Sequence, residues 1–157
     1  MCKKYAGLTF SQAVNEFSDD VTKICILKLR NVEDAKDCFQ NIFLKLHLSS
    51  ITFTDKDHLK AWLIRVACNE CTDFNRSYWK RNVTLDSSLD IYRQFTDDFE
   101  CVEVIELIRS LPEKYIEIIY LYYYEEYTTS EISKMLGLSI NTVKSRLRRA
   151  REKLKGM

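Results

Sequence analysis

A segment near the C-terminus concentrates side chains that can hydrogen-bond to the edges of DNA bases. Four polar residues recur there at spacings of three and four, which places them on one helical face: Asn141, Lys144, Ser145 and Arg148. An amide can pair with adenine, a basic group can pair with guanine, and a hydroxyl tolerates either base. The apolar residues Val143, Leu147, Ala150 and Leu154 occupy the other face. The pattern predicts a helix that packs on one side and reads a major groove with the other.

The residues before this helix predict a second helix and a tight turn. Thr128 and Glu131 have the spacing of a capping box, Gly137 can adopt the left-handed conformation that ends a helix, and Ser139 can cap the next one. The alternative is a solvated basic helix without a DNA-binding role. Because the caps, the glycine and the charge all agree, a helix-turn-helix is the favoured interpretation.

Charge is divided sharply along the chain, although the formal net charge is only +1. From Lys144 to Lys155 there are seven basic residues and one acidic residue, whereas from Thr84 to Glu106 there are seven acidic residues and one arginine. A compact basic segment of this kind is typical of polyanion binding.

Cys68 and Cys71 have the spacing of a redox motif or of half a zinc site. No second Cys pair accompanies them, and His47 and His58 are not at ligand spacing from them. We interpret the six cysteines as reduced thiols and expect no metal ion and no cofactor. No nucleophile and base stand in a catalytic arrangement, and we therefore do not expect an enzyme.

The chain has 157 residues with only one Pro and three Gly, which disfavours folds that need many tight turns and predicts an all-α protein. The clearest helices are expected at 32–48 and 58–79, joined by a loop in which Phe53 either plugs the core or stacks on a base. Trp62 is expected in the core. No apolar run is long enough for membrane insertion, and the polar N-terminus suggests a cytoplasmic protein.

Two small helical domains are predicted, because periodicity fades between them and Ser, Asp and Thr accumulate. We place the first domain at 1–81, a flexible linker at 82–96 and the second domain at 97–157. Within the second domain, Leu111-Pro112 is expected to begin a helix that extends to about Glu126.

Three ordered motifs give the chain a family resemblance. They are the helix from Asp34 to Leu44, the helix from Leu59 to Asn69 with Asp73 and Arg76, and Leu111-Pro112-Glu113 followed by the helix-turn-helix. In these motifs the chain resembles bacterial RNA polymerase sigma factors of the extracytoplasmic function (ECF) group. The resemblance implies an alternative sigma factor that directs promoter recognition, DNA opening and transcription initiation.

The resemblance also assigns site residues and partners, which are core RNA polymerase, promoter DNA and, as an open expectation, an anti-sigma factor. For the polymerase it implies Asp34, Asp37, Gln40, Asn41 and Phe43. For the promoter element near −10 it implies Asn69, Asp73 and Arg76, with phosphate contacts from Lys60, Lys80 and Arg81. For the element near −35 the residues are Asn141, Thr142, Lys144, Ser145, Arg148, Arg149 and Arg151.

Two rival hypotheses come from other functional classes. The first is a stand-alone helix-turn-helix regulator with an N-terminal dimerisation or sensing domain. The second is a helical thiol oxidoreductase that uses Cys68 and Cys71. The first would bind duplex DNA without polymerase, and the second would reduce disulfides.

Overall fold

The computed structural model describes residues 3–29, 31–81 and 102–156, and within these ranges the regular structure is helical. The described residues contain no strand beyond an isolated bridge between Tyr5 and Leu8. The chain divides into two compact units, Met1–Thr96 and Asp97–Met157. The all-α expectation is confirmed, whereas the linker expected at 82–96 lies outside the described residues. None of the described helices combines the length and the apolar character needed to cross a membrane.

The N-terminal unit consists of three helices, α1 (Phe10–Lys28), α2 (Val32–Leu48) and α3 (Lys56–Arg81). Each begins at a polar side chain that accepts hydrogen bonds from the first turn, because the first backbone N–H groups of a helix lack partners within it. Thr9 forms a capping box with Gln12, Asn31 Oδ1 accepts from two amides of α2, and Asp55 Oδ1 accepts from His58 N at 2.8 Å. The boundaries therefore follow from local chemistry.

These three helices pack pairwise around an apolar core. The core residues include Val21, Ile24, Ile42, Leu46, Leu59, Leu63, Ile64 and Ala67. Side-chain hydrogen bonds and an ion pair also join the helices beside this core. The buried Lys28 at the end of α1 donates to Cys68 O and to Thr72 Oγ1 of α3, both at 3.0 Å. On the other side, Lys45 of α2 forms an ion pair with the buried Glu70 of α3.

Phe53, on the loop between α2 and α3, is a core residue and only 5% exposed. Its ring centroid lies 5.2 Å from that of His58 and 5.6 Å from that of Trp62. The core alternative therefore holds for Phe53, and the stacking alternative does not. Trp62, which the sequence places in the core, is instead half-buried, with its ring against Phe53.

The C-terminal unit contains α4 (Val102–Arg109), α5 (Glu113–Ile119), a π-helical turn (Tyr120–Tyr124), α6 (Thr129–Leu136) and α7 (Ile140–Lys155). The single helix expected from Leu111-Pro112 to about Glu126 needs correction at both ends. Pro112 has ψ 144°, so it precedes the helix rather than forming its first residue. At the other end the α-helix gives way to the π turn, and Glu126 adopts a φ of 60°.

Candidate nucleic-acid and protein interfaces

The helix-turn-helix forms as its caps predict. Thr128 and Glu131 make a reciprocal capping box at the start of α6. Gly137 ends that helix with φ 67° and ψ 33°, a conformation that glycine adopts without the steric cost of a Cβ. Ser139 Oγ then accepts from Thr142 N at 3.1 Å and begins α7. These local hydrogen bonds fix where α7 starts and hence which side chains lie in its first turns.

The two faces of α7 differ as predicted. Val143, Leu147 and Ala150 are at most 4% exposed and pack against the unit. The outer face carries five exposed residues of the predicted set: Asn141, Lys144, Arg148, Arg149 and Arg151. The other two, Thr142 and Ser145, are half-buried, and the Thr142 hydroxyl lies 2.8 Å from Ser139 Oγ in the cap. Thr142 therefore serves the cap in this structure.

Arg151 is exposed but is held by a pair of tyrosines. Its Nε donates to the Tyr123 hydroxyl, and its guanidinium lies 5.5 Å from the ring centroids of both Tyr122 and Tyr123. The hydrogen bond to Tyr123 raises the pKa of Arg151. Because a guanidinium has five N–H donors, its remaining donors can still meet a phosphate. The tyrosines thus orient this cation, a role that sequence reasoning did not assign to them.

On α3, Asn69, Asp73 and Arg76 are all exposed and follow one another at spacings of four and three. They form a common surface as expected. Arg65 is also exposed, and it lies one turn before Asn69 on the same face. Sequence reasoning missed Arg65, although its spacing to Asn69 was a usable signal.

The three basic residues predicted for the same DNA surface are not placed on it by the structure. Lys60 lies about half a turn around the helix axis from Asn69, since successive residues advance by about 100°. Its Nζ is 3.9 Å from Asp20 of α1, so the structure does not bring it together with the other three residues. Lys80 and Arg81 lie in the last turn of α3, and their side chains fall outside the described residues.

On α2, Asp37, Gln40 and Asn41 are exposed and Asp34 is half-buried. Phe43 requires a correction. It is only 4% exposed and its ring centroid lies 4.9 Å from that of Phe39, so it supports the exposed face from beneath.

Two exposed leucines extend the exposed face of α2 beyond the predicted residues. Leu44 is 53% exposed and Leu48 is 73% exposed, at three and seven residues beyond Asn41. Asp37, Asn41, Leu44 and Leu48 therefore form one stripe, which we call the α2 stripe. Both leucines lie off the three-and-four spacing of the buried residues of α2, and they form the apolar half of an otherwise polar stripe.

The cysteine that the sequence spacing suggests as the partner of Cys71 is not its neighbour in the structure. Cys71 lies 3.6 Å from Cys38 of α2, sulfur to sulfur, and Cys25 of α1 completes the group. Hydrogen bonds from Cys25 and Cys71 lower the pKa of Cys38. The hydrogen bond to Cys38 raises the pKa of Cys25, and burial raises that of Cys71. Cys68, the partner suggested by the sequence spacing, is buried outside this group.

Comparison with known families matches both units. Residues 13–81 match the family model for sigma-70 region 2, and residues 101–154 match that for sigma-70 region 4. The ECF RNA polymerase sigma factor SigW of Bacillus subtilis is 30% identical, over 93% of this chain and 87% of SigW. ECF sigma factor SigM of the same organism is 28% identical, over 96% of this chain and 95% of SigM.

Solved structures show the same fold. The sigma factor RpoE from Bartonella quintana, crystallised with the anti-sigma factor NepR, superposes with a TM-score of 0.71 at 20% identity, covering 94% of each chain. CnrH, solved with the cytosolic domain of CnrY, gives a TM-score of 0.63 at 24% identity, covering 94% of this chain and 85% of CnrH. With a region 2 unit, a region 4 helix-turn-helix and full-length relatives in agreement, the chain belongs to the sigma-70 family of RNA polymerase sigma factors, in its ECF group.

Proposed function

We propose that this protein is an alternative sigma factor that binds core RNA polymerase through its N-terminal unit and recognises promoters with both units. The observation that carries the proposal is the pairing of a region 2 match at 13–81 with a region 4 match at 101–154. We assign region 2 to 1–81, the linker to 82–96 and region 4 to 97–157. The protein acts in the cytoplasm, where polymerase and DNA are found, and phosphodiester chemistry belongs to the polymerase.

The α2 stripe is the proposed polymerase surface, together with Asp34 and Gln40. Its polar half can form hydrogen bonds with the partner, and its leucine half can bury apolar area that is now in contact with water. Burial contributes about 25 cal/mol per Å² of apolar surface, so two leucines can stabilise the complex substantially. Phe43 contributes indirectly, because it packs behind this surface.

The exposed face of α3 is the proposed surface for the element near −10. Asn69, Asp73 and Arg76 offer donors and acceptors for unpaired bases, and Arg65 adds a positive charge on the same face. Opening DNA without nucleotide hydrolysis requires the protein to offset an unstacking cost of a few kcal/mol per step. Hydrogen bonds to captured bases supply part of that free energy.

The outer face of α7 is the proposed reader of the element near −35. Asn141 and Lys144 lie in its first turns, where side chains of a recognition helix contact base edges. Arg148, Arg149 and Arg151 lie further along and are assigned to phosphates. The buried Val143, Leu147 and Ala150 hold this face outward.

An anti-sigma partner is also proposed. RpoE and CnrH, which share the fold, were solved in complex with NepR and with the cytosolic domain of CnrY. An anti-sigma partner of this chain would compete with the polymerase for the α2 stripe.

Run-off transcription with purified core polymerase on genomic fragments tests the proposal. We expect transcripts only when this protein is added, and tight promoter binding only in the presence of core polymerase. Tight sequence-specific binding to duplex DNA by the protein alone, without stimulation of transcription, would instead support the stand-alone regulator.

A further inference from the structure

Three cysteines from three different helices meet in the core of the N-terminal unit. Cys25 lies in α1, Cys38 in α2 and Cys71 in α3. Their sulfur atoms all lie within 4.8 Å of one another, with 3.6 Å between Cys38 and Cys71. All three are at most 1% exposed. Because the residues are far apart in sequence, only the tertiary fold brings them together.

The separations fit an ion with three sulfur ligands. A metal–sulfur bond of about 2.3 Å in a trigonal plane places the sulfur atoms about 4.0 Å apart. That value falls between the 3.6 Å of the closest pair and the 4.8 Å limit of the whole group. A small adjustment of side-chain torsions would therefore bring all three sulfurs to bonding distance of one ion.

The donor set selects the class of ion. Within the described parts of the chain, no fourth His, Cys, Asp or Glu joins the group. Structural zinc sites are almost always tetrahedral with four ligands, whereas thiolates favour soft ions such as Cu(I). The sulfurs are also shielded from water, which would otherwise complete the shell of a harder ion.

We propose that Cys25, Cys38 and Cys71 form a binding site for a soft thiophilic ion that takes three sulfur ligands, with Cu(I) and arsenite as its probes. Arsenite binding is a condensation in which As(OH)₃ and three thiols give the tris-thiolate and three waters. Arsenic stays trivalent and the product is neutral, which suits a buried site. Cu(I) binds with release of thiol protons and no change in oxidation state.

An ion at this position would link all three helices of the unit. The ion would bind the folded state more tightly than the unfolded chain, because only the fold brings the three sulfurs together. Its binding should therefore raise the free energy of unfolding. Because the thiols are buried, the ion must enter through a local opening of the core. Binding should therefore be slow and must be followed to completion.

The test uses the full-length reduced protein with Cys2 and Cys101, which lie outside the described residues, replaced by serine. Cu(I) under a competing chelator and arsenite are titrated separately, with native mass spectrometry for stoichiometry and X-ray absorption for the ligand shell. We expect one ion per chain bound by three sulfurs at about 2.3 Å. The site is supported if Cu(I) or arsenite binds in this way, and the probe that does so identifies the preferred ion.

Cys71→Ala and Cys68→Ala form a matched pair, since both residues are buried on α3 and only the first lies in the group. Loss of a group that only hydrogen-bonds to a metal ligand already lowers metal affinity by about 10- to 100-fold, so loss of a ligand in Cys71→Ala should lower it at least about 100-fold. Cys68→Ala should keep the affinity of its parent. Circular dichroism of the ion-free proteins checks folding, and Cys25→Ala replaces Cys71→Ala if that variant is unfolded.

Thermal unfolding supplies a second readout. Free ion at a hundredfold excess over the parent's Kd should raise the melting temperature of the parent and of Cys68→Ala by about 5 °C or more, and that of Cys71→Ala by no more than about 1–2 °C. The site is overturned by the absence of stoichiometric binding of both probes or by equal loss in the two variants. Tighter binding of Zn²⁺ with a fourth nitrogen or oxygen ligand would overturn its assignment to soft ions.

Discussion

The two units present their functional side chains in different ways. In the C-terminal unit the proposed reading surface lies on one helix, and its start is fixed by hydrogen bonds among residues 128–142. In the N-terminal unit the proposed surfaces lie on two helices whose positions depend on a shared core, the Lys28 hydrogen bonds and the Lys45–Glu70 ion pair. The position of a local surface depends on a few neighbouring residues, whereas the position of a tertiary surface depends on the buried residues beneath it, although its exposed side chains can still be replaced singly.

The largest expected effect is on the stability of the N-terminal unit, and it distinguishes a core residue of α2 from the exposed residue next to it. Phe43→Ala removes a buried ring and should lower the free energy of unfolding by about 3–5 kcal/mol. Leu44→Ala, on the next residue but 53% exposed, should change it by less than about 0.5 kcal/mol while weakening core polymerase binding. Denaturant unfolding and a polymerase binding assay measure the two quantities. Unchanged polymerase binding by folded Leu44→Ala would remove the leucines from the docking surface.

The next effect probes the local surface of α7. Lys144→Ala should reduce discrimination at particular base pairs of the upstream element, with each lost base contact costing about 1–3 kcal/mol. Arg149→Ala should weaken binding to all sequences alike and reduce the salt slope by about one unit. Holoenzyme binding to a promoter library at several salt concentrations distinguishes the two. If Lys144→Ala acts uniformly and Arg149→Ala changes base preference, the assigned face of α7 is wrong.

The third effect concerns the exposed surface of α3, where we expect a substitution to change DNA opening without unfolding the N-terminal unit. Asn69 is exposed, so Asn69→Ala should leave stability within about 0.5 kcal/mol. It should slow open-complex formation on duplex promoters more than on templates already mismatched near −10, because pre-opening removes the unstacking cost. Arg65→Ala should weaken both complexes through lost electrostatic attraction. Equal losses for Asn69→Ala on both templates would argue for a role in docking.

The smallest expected effect concerns the orientation of Arg151. Tyr123→Phe removes the hydroxyl that accepts from Arg151 Nε but keeps the ring, and a hydrogen bond contributes about 0.5–1.5 kcal/mol. At this exposed position we expect the lower end of that range in holoenzyme affinity, with the base preference unchanged. Tyr124→Phe, which removes a hydroxyl from the same π turn but on a ring that stacks on Tyr120, is the control. A shift in base preference for Tyr123→Phe would mean that Arg151 reads bases rather than phosphates.

The parts that could be predicted from sequence are those set by local chemistry. The caps at Thr128 and Ser139, the turn at Gly137 and the faces of α7 all depend on residues close in the chain, and they are confirmed. Phe43 has the three-and-four spacing of the buried stripe, which favours its burial, whereas the resemblance assigned it to the polymerase surface; the structure buries it. A family motif assigns a role to a position, but it does not distinguish a side chain that contacts the partner from one that packs beneath that surface. The sequence spacing of Cys68 and Cys71 suggests that they form a pair. In the structure the neighbours of Cys71 are instead Cys25 of α1 and Cys38 of α2.

The π turn at Tyr120–Tyr124 has a consequence for comparing this chain with its relatives. A π turn accommodates one more residue than an α-helical turn over the same rise, so it absorbs a single-residue insertion at the end of α5. Deleting one of its five residues should convert the turn to an α-helical one while the residues before and after it keep their positions. If the deleted residue is Tyr123, the Arg151 Nε loses the hydroxyl that accepts its hydrogen bond. In relatives that have one residue fewer at 120–124, we therefore expect fewer aromatic side chains to be available to an arginine at the position of Arg151.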